Sequence, residues 1–196
     1  MNFKQFGTLL SVSIVFGMSF IPIKALTQEE ASIKFGEAIA SPGCAVVDQL
    51  VGEDARTLSI LFDNFEAKDD ERKSCNIRVN TTIPSGYRVK DMQILYQGST
   101  KVPPGTKGTS LSRSYIFNGG AFNGIAKSSP KITNFKSTNE LYQEQDTVTT
   151  ASASCGGEGQ LGINMVVQSS PGTSIVVGSP AFLVGEVKIH FDLGRC

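Results

Sequence analysis

"SCNIRVNTTIPSGYRVKDMQILYQG", Ser74 to Gly98, decides the fold class. Successive side chains of an extended strand point to opposite faces. Cys75, Ile77 and Val79 therefore share one face, and Asn76, Arg78 and Asn80 share the other. Pro84-Ser85-Gly86 supplies the dihedral angles of a turn and stops the run. The chain restarts with Tyr87 and Val89 in phase. After Asp91 the apolar set moves to Met92, Ile94 and Tyr96, an odd step that predicts a bulge inside the second strand.

Outward from this pair the same pattern recurs. "CAVVDQLV" from Cys44 and "RTLSILFDNF" from Arg56 precede it, the latter with Leu58, Ile60 and Phe62 in phase. Behind it come Leu111, Arg113, Tyr115 and Phe117, then Leu161, Ile163, Met165 and Val167, then the short "TSIVVG". "GEVKIHFDLGRC" closes the chain, with Val187, Ile189, Phe191 and Leu193 set against Lys188, His190, Asp192 and Gly194. Turn clusters divide the runs, among them Pro103-Pro104-Gly105, Asn118-Gly119-Gly120, Cys155-Gly156-Gly157, Pro171-Gly172 and Gly178-Ser179-Pro180. Eight or more short alternating runs predict an all-β domain. We read it as an antiparallel two-sheet sandwich, jelly-roll-like, in which each strand keeps one face wet. Alternation is weak from about Gly119 to Ser154.

The N-terminus predicts the compartment. Met1 to Gln5 carries Lys4, "FGTLLSVSIVFGMSFIPI" from Phe6 to Ile23 is almost wholly apolar or small, and Lys24-Ala25 leads into "LTQEE". That is the form of a secretory signal peptide, residues 1–25. Gly17 and Pro22 interrupt the apolar run, which is near the lower limit for spanning a bilayer. Residues 26–42 fit either a leader or a short helix. Thr27-Gln28-Glu29-Glu30 has the form of a capping box, and Ala31, Phe35 and Ala38 recur at helical spacing. Residues 43–196 form a single disulfide-bonded domain.

The whole chain holds 18 basic and 18 acidic side chains. The leader takes Lys4 and Lys24 with it, leaving the mature chain slightly acidic. Such a balance argues against a nucleic-acid partner and against electrostatic docking on anionic lipid. No segment beyond the leader is long and apolar enough to span a membrane as a helix. Nothing in the sequence calls for a cofactor or a metal. The expected location is secreted or periplasmic.

Cys44, Cys75, Cys155 and Cys196 are even in number, widely spaced and lack metal-ligand spacing, so two disulfides are expected. Four cysteines allow three pairings. If the first and last strands lie side by side and antiparallel, the start of one meets the end of the other. That arrangement predicts Cys44–Cys196 and, by elimination, Cys75–Cys155.

"SPGC", "LSILFDNFEA", "RKSCNIRVNTTIPSGYRV", "YQGSTKVPPGTKGTSLSRSYIF" and "SCGGEGQLGINMVV" follow one another in an order that resembles domain-of-unknown-function family 4360, small secreted proteins of fungi and bacteria. The resemblance runs from about Gly43 to Cys196. Where the family usually has a proline after its first cysteine and a tryptophan near its last, this chain has Ala45 and Phe191-Asp192-Leu193, the mark of a divergent member. The resemblance implies secretion, a β-rich fold and disulfides, and implies no activity.

His190 is the only histidine. A Ser–His–acid triad would have to use it, and a lone strand histidine is more often a surface residue. Asp63, Glu66, Asp69, Asp70 and Glu71 are dense enough for Ca²⁺ but lack its loop order, and beside Arg72 and Lys73 they read as a solvated hairpin loop. Gly105 to Thr109 lacks the order of a phosphate loop. Asn80-Thr81-Thr82 is a glycosylation sequon inside a predicted strand. Tyr87, Tyr96, Tyr115, Tyr142, Phe122 and Phe135 read as packing residues before they read as a sugar-stacking platform. No catalytic residue or carboxylate pair is nominated. The expectation is a secreted non-enzymatic β-sandwich that binds an extracellular surface, glycan or protein through loops at one end. The alternatives are a secreted hydrolase with a dispersed site using His190, and a structural or inhibitory extracellular protein.

Overall fold

The structure is a computed structural model that describes residues 31–63, 65–122, 126–150, 154–178 and 184–196. The signal-peptide reading of residues 1–25 and the capping box at Thr27–Glu30 lie outside these residues. The described chain is almost entirely strand: β1 (Lys34–Ala40), β2 (Ala45–Val51), β3 (Thr57–Asp63), β4 (Glu66–Lys68), β5 (Arg72–Ile83), β6 (Tyr87–Lys101), β7 (Thr109–Gly119), β8 (Ala126–Lys127), β9 (Lys131–Phe135), β10 (Asn139–Thr149), β11 (Gly157–Ser169), β12 (Ser174–Val177) and β13 (Val184–Arg195). A single 3₁₀ turn, Gly120–Phe122, follows β7.

Two antiparallel sheets stack face to face. In the first the order is β1-β5-β11-β7, with β8 and β9 both on the far edge of β7. In the second it is β2-β3-β13-β6, with β10 beyond β6; β12 and β4 also belong to this sheet, β12 against β6 and β4 against β12. From β5 to β7, and again from β10 to β12, successive strands alternate between the sheets, so each connection crosses the sandwich. The in-phase apolar residues of the sequence become the core. Leu58, Ile60, Phe62, Ile77, Met92, Ile94, Ile163, Met165, Ile189 and Phe191 are all fully buried. The bulge expected after Asp91 is present: β13 pairs Asp192 with Asp91 and then Leu193 with Val89.

Residues 34–40, which the spacing allowed as helix, are strand. β1 pairs antiparallel with β5, Phe35 opposite Thr81 and Ile39 opposite Arg78. Phe35 turns inward onto Phe191 of the opposite sheet, ring centroids 5.5 Å apart. The helical spacing of Phe35 and Ala38 comes from a bulge at Gly36-Glu37, which shifts the inward phase by one residue. Gln49 of β2 covers the bulge. Its side chain accepts from Ala38 N at 2.7 Å and donates to Gly36 O at 3.2 Å. One amide thus satisfies an edge that would otherwise invite another strand.

The disulfides are Cys44–Cys75 and Cys155–Cys196, with Cα separations of 5.4 and 6.0 Å, which corrects the expected Cys44–Cys196 and Cys75–Cys155. The premise of adjacent terminal strands fails because β13 lies between β3 and β6, and β2 pairs with β3. Instead the Ser41–Gly43 turn returns the chain beneath β5: Ser41 N donates to Asn76 O at 2.9 Å. Gly43, at φ +113°, passes so close that a Cβ would sit 2.3 Å from Ser74 O, so this crossing demands glycine. At the other end, Gly156 N donates to Tyr87 O and Cys196 N to Gly86 O, which brings Cys155 and Cys196 together over the β5–β6 turn.

Candidate functional site

The outer face of the first sheet carries rows of polar side chains open to solvent. Register places its residues in rows across the strands. Lys34, Thr82 and Glu158 form one row, and Asn80, Gln160 and Asn118 the next. Arg78, Gly162 and Ile116 follow, then Asn76, Asn164 and Ser114. The first two rows line a groove of about 690 Å³ together with Gly36 and Gly119. Gln160 Nε2 donates to Asn80 Oδ1 at 2.9 Å, which fixes both amides side by side. Asn80 Nδ2 stays available as a donor and Gln160 Oε1 as an acceptor, the pairing that a ligand with neighbouring hydroxyls requires.

Arg78 lies one row beyond the residues that line this groove, opposite Gly162. Its guanidinium lies on Gly162: a Cβ there would stand 2.8 Å from Nη1, 3.0 Å from Cζ and 3.1 Å from Nε. Three near-equal distances mean that the group rests face-down on the backbone, and only glycine permits that. Nη1 donates to Ile77 O at 3.0 Å and to Asn164 Oδ1 at 3.2 Å. The two disulfides anchor this face lengthwise, Cys75 beside the Asn76 row and Cys155 three residues before Glu158. The six residue steps from Asn76 to Thr82 span about 20 Å of strand. The groove is thus on a sheet face, not among the end loops where binding was expected.

A second depression of about 580 Å³ lies at the β6–β10–β12 end of the other sheet. Thr100, Thr138 and Asn139 of its lining are engaged in local hydrogen bonds. Thr100 Oγ1 donates to Ser137 O at 3.0 Å and accepts from Asn139 Nδ2 at 3.3 Å, and Thr138 Oγ1 accepts from Val102 N.

Inside the sandwich lies a buried polar cluster. Arg113, 3% exposed, and Asp146, 3% exposed, face each other from β7 and β10. Arg113 Nε donates to Asp146 Oδ2 at 2.9 Å and Nη2 to Oδ1 at 3.3 Å. Nη2 also reaches Thr133 Oγ1 at 3.0 Å. Tyr115 donates its hydroxyl to Asp146, and the Tyr96 hydroxyl stands 2.9 Å from that of Tyr115. Arg113 lies 5.4 Å above the Tyr96 ring. Burial pushes both phenols far above their ordinary range, and the Asp146 carboxylate adds to the effect. This cluster ties the two sheets together, and at its rim the partly exposed Glu144 stands 3.7 Å from Arg113 and Lys131 3.7 Å from Asp146.

His190 lies on the outer face of the second sheet. Its Nδ1 is 2.9 Å from Thr57 Oγ1 and 3.4 Å from Asp54 Oδ2. Thr57 Oγ1 donates to Asp54 Oδ2 at 2.8 Å, and the backbone N–H groups of Arg56 and Thr57 donate to Oδ1. Partial burial works to raise the Asp54 carboxyl, but these hydrogen bonds and the nearby imidazole hold it below its ordinary value of 3.8. The Thr57 proton is committed to the carboxylate, so Thr57 is no nucleophile for His190. Among the described residues no serine or cysteine bonds to the imidazole. The arrangement closes the turn between β2 and β3.

The other candidates disperse. Glu66 pairs with Lys68 at 2.8 Å and Glu71 with Lys73 at 3.5 Å, and Asp69 accepts from Gly172 N. Asp69 and Asp70 both take positive φ in the turn that carries the chain from β4 to β5. No group of three His, Cys, Asp or Glu side chains among the described residues gathers as metal ligands would. No helix among them is long and apolar enough to cross a membrane. Tyr96, Tyr115, Tyr142, Phe122 and Phe135 are buried and Tyr87 is half-buried, so the aromatics serve packing. Asn80 of the sequon is exposed at the groove. Gln160, Asn118 and Glu158 escaped sequence reasoning as a group, although the alternation already put Asn76, Arg78 and Asn80 on the wet face.

Comparisons place the chain among known proteins. Several solved carbohydrate-binding modules show a distant likeness to it. One, described in a study of the promiscuous specificity of such modules, is 10% identical with a TM-score of 0.33; 86% of this chain is covered, and it spans 58% of that chain's length. TmCBM61, solved with β-1,4-galactotriose, is 10% identical over 83% of this chain and 88% of its own, TM-score 0.32. TmCBM27, solved in a study of mannan recognition, is 14% identical over 85% and 100%, TM-score 0.34. A likeness this distant says nothing about a ligand. No curated protein sequence matches the chain significantly. The family model described as Domain of unknown function (DUF4360) matches residues 41–196, and the chain belongs to that family.

Proposed function

We propose that this protein is exported, loses residues 1–25, and acts without catalysis by binding an extracellular glycan along the outer face of its first sheet. One observation carries the reading. Asn80, Gln160 and Asn118 stand in register on three neighbouring strands and, with Lys34, Thr82 and Glu158, line one open groove. Amides and hydroxyls that each donate and accept suit a ligand rich in hydroxyl groups. The large apolar side chain in its lining, Phe35, is half-buried against Phe191 and so is already engaged within the fold rather than free as the anchor on which protein interfaces depend. Two disulfides hold its ends, which limits the ordering cost of binding. The pairing of all four cysteines suits an oxidising compartment.

A glycan array probed with disulfide-intact protein tests the reading, followed by titration of the best ligand with Asn80→Ala/Gln160→Ala. A neutral hydrogen bond contributes about 0.5–1.5 kcal/mol, so removing two weakens binding about 5- to 150-fold. Thermal melting stays near wild type because both side chains lie on the solvent face. An array with no bound glycan, or a double variant that binds as wild type does, overturns the reading. Mass spectrometry of the exported protein is expected to show a chain that begins at Leu26.

A further inference from the structure

We infer that the glycan carries a carboxylate and that Arg78 receives it, a step that rests on the groove reading above. Arg78 has five N–H donors. Both hydrogens of Nη1 are spent on Ile77 O and Asn164 Oδ1. The Nε–Nη2 edge makes no hydrogen bond or ion pair with any described residue. In a planar guanidinium that edge lies opposite Nη1. Aiming Nη1 at Asn164 therefore turns the open edge toward the Gln160 row, which is the groove. An Nε–Nη2 edge is a fork whose two parallel N–H bonds match the two oxygens of a carboxylate. The same chain uses that match elsewhere: Arg113 presents Nε and Nη2 to the two oxygens of Asp146.

The surroundings favour an anion at this point. Arg78 pairs across the sheet with Ile39 on one side and with Gly162 and Ile116 on the other, and Lys127 lies beyond Ile116. The next row toward the far end holds only Asn76, Asn164 and Ser114. Of the acids on this face, Glu158 is two rows away and Glu37 sits in the edge bulge of β1. Held face-down by Gly162, the guanidinium is already oriented, so little side-chain freedom is lost on binding. The ligand this geometry selects is a polyuronate, with one ring's carboxylate on Arg78 and the hydroxyls of its neighbour on Asn80 and Gln160.

Titration of the disulfide-intact protein with galacturonan, alginate and glucuronan, each beside its carboxyl-reduced form and a sulfated dextran, tests the inference. At least one polyuronate is expected to bind, at least tenfold more tightly than its reduced form and than the sulfated polymer. Arg78→Gln is expected to abolish that preference while the reduced polymer binds as before. Gly162→Val keeps the charge but lifts the guanidinium from the sheet, and is expected to lose the preference in the same way. Equal binding of the acidic and reduced forms, or an Arg78→Gln protein that still discriminates, overturns the inference and leaves the groove reading standing. Preference for the sulfated polymer also overturns it. Absence of binding to every polymer here and to every glycan on the array overturns both.

Discussion

Arg78 and Arg113 lie on opposite faces of the same sheet, two strands apart, and they spend the same hydrogen-bonding edge differently. Inside, the Nε–Nη2 fork of Arg113 is filled by Asp146, and both side chains are buried. Outside, only Nη1 of Arg78 is engaged, and the fork is left facing the groove. The contrast shows that position across the sheet decides what an arginine does. A buried guanidinium must have its carboxylate within the fold because an unpaired internal charge is too costly. A guanidinium on the solvent face can leave its strongest edge to water and hence to a ligand.

The sharpest way to break this contrast is Asp146→Ala. Removing one partner of a buried pair costs about 3–5 kcal/mol, and Arg113 would keep only Glu144, at 3.7 Å, as a counter-charge among the described residues. Chemical denaturation is expected to show a loss of that size. Replacing the pair together, as Arg113→Met/Asp146→Leu, is expected to recover most of it. A single variant within 1 kcal/mol of wild type would mean that water reaches the cluster and that the two arginines are not so different.

The clamps come next. Chain entropy assigns about 4 kcal/mol to each disulfide, for sequence separations of 31 and 41 residues, and measured values commonly fall to about 2–4. Cys155→Ser/Cys196→Ser is expected to lower stability within that range. It is also expected to weaken glycan binding, because it frees the end of the groove that holds Glu158. Cys44→Ser/Cys75→Ser frees the Asn76 end and is expected to act on the Arg78 preference instead.

A smaller effect concerns the second sheet. The Asp54 carboxyl is held below 3.8, so its hydrogen bonds stabilise the fold fully above that value. The contribution disappears as pH falls through the lower, folded-state value. Asp54→Ala is expected to cost about 1 kcal/mol at neutral pH, the usual net value of such bonds. The stability difference from wild type should shrink in acid. Ligand binding is expected to be unchanged, because this turn lies on the face opposite the groove.

Much of the sandwich was legible in the residues. The phase of Cys75, Ile77 and Val79 and of Val187, Ile189 and Phe191 marked the core, and the slip at Asp91 marked the bulge, because period-two alternation is a local property. Arg113 was visible as a charge on an apolar phase. Its partner was not, since Asp146 falls in β10, where the pattern is weak. The disulfide pairing depended on strand order, which alternation does not encode. The groove was hidden for the same reason: Asn80, Gln160 and Asn118 are distant in sequence and meet only through the register of β5, β11 and β7. Gly162, which escaped sequence reasoning, is a glycine on the wet phase of a strand, where a close approach by another group is expected.

The smallest expected change in stability is the most informative. Arg78→Gln removes a charge that no described residue neutralises, so folding is expected to shift by no more than about 0.5 kcal/mol, the usual range for surface substitutions. Arg113→Gln makes the same chemical change two strands away and is expected to cost several kilocalories, because it removes the guanidinium from the buried Asp146 carboxylate and leaves it, among the described residues, only Tyr115 and, at 3.7 Å, the Lys131 ammonium. Parallel urea titrations of the two variants measure the difference directly. If Arg78→Gln proved as costly as Arg113→Gln, the outer guanidinium would be a structural brace and its open fork an accident of packing. A near-neutral Arg78→Gln that melts like wild type yet no longer favours uronates would separate the two roles: one arginine holds the sheets together, and the other is kept for what binds between its fork and the amides of the groove.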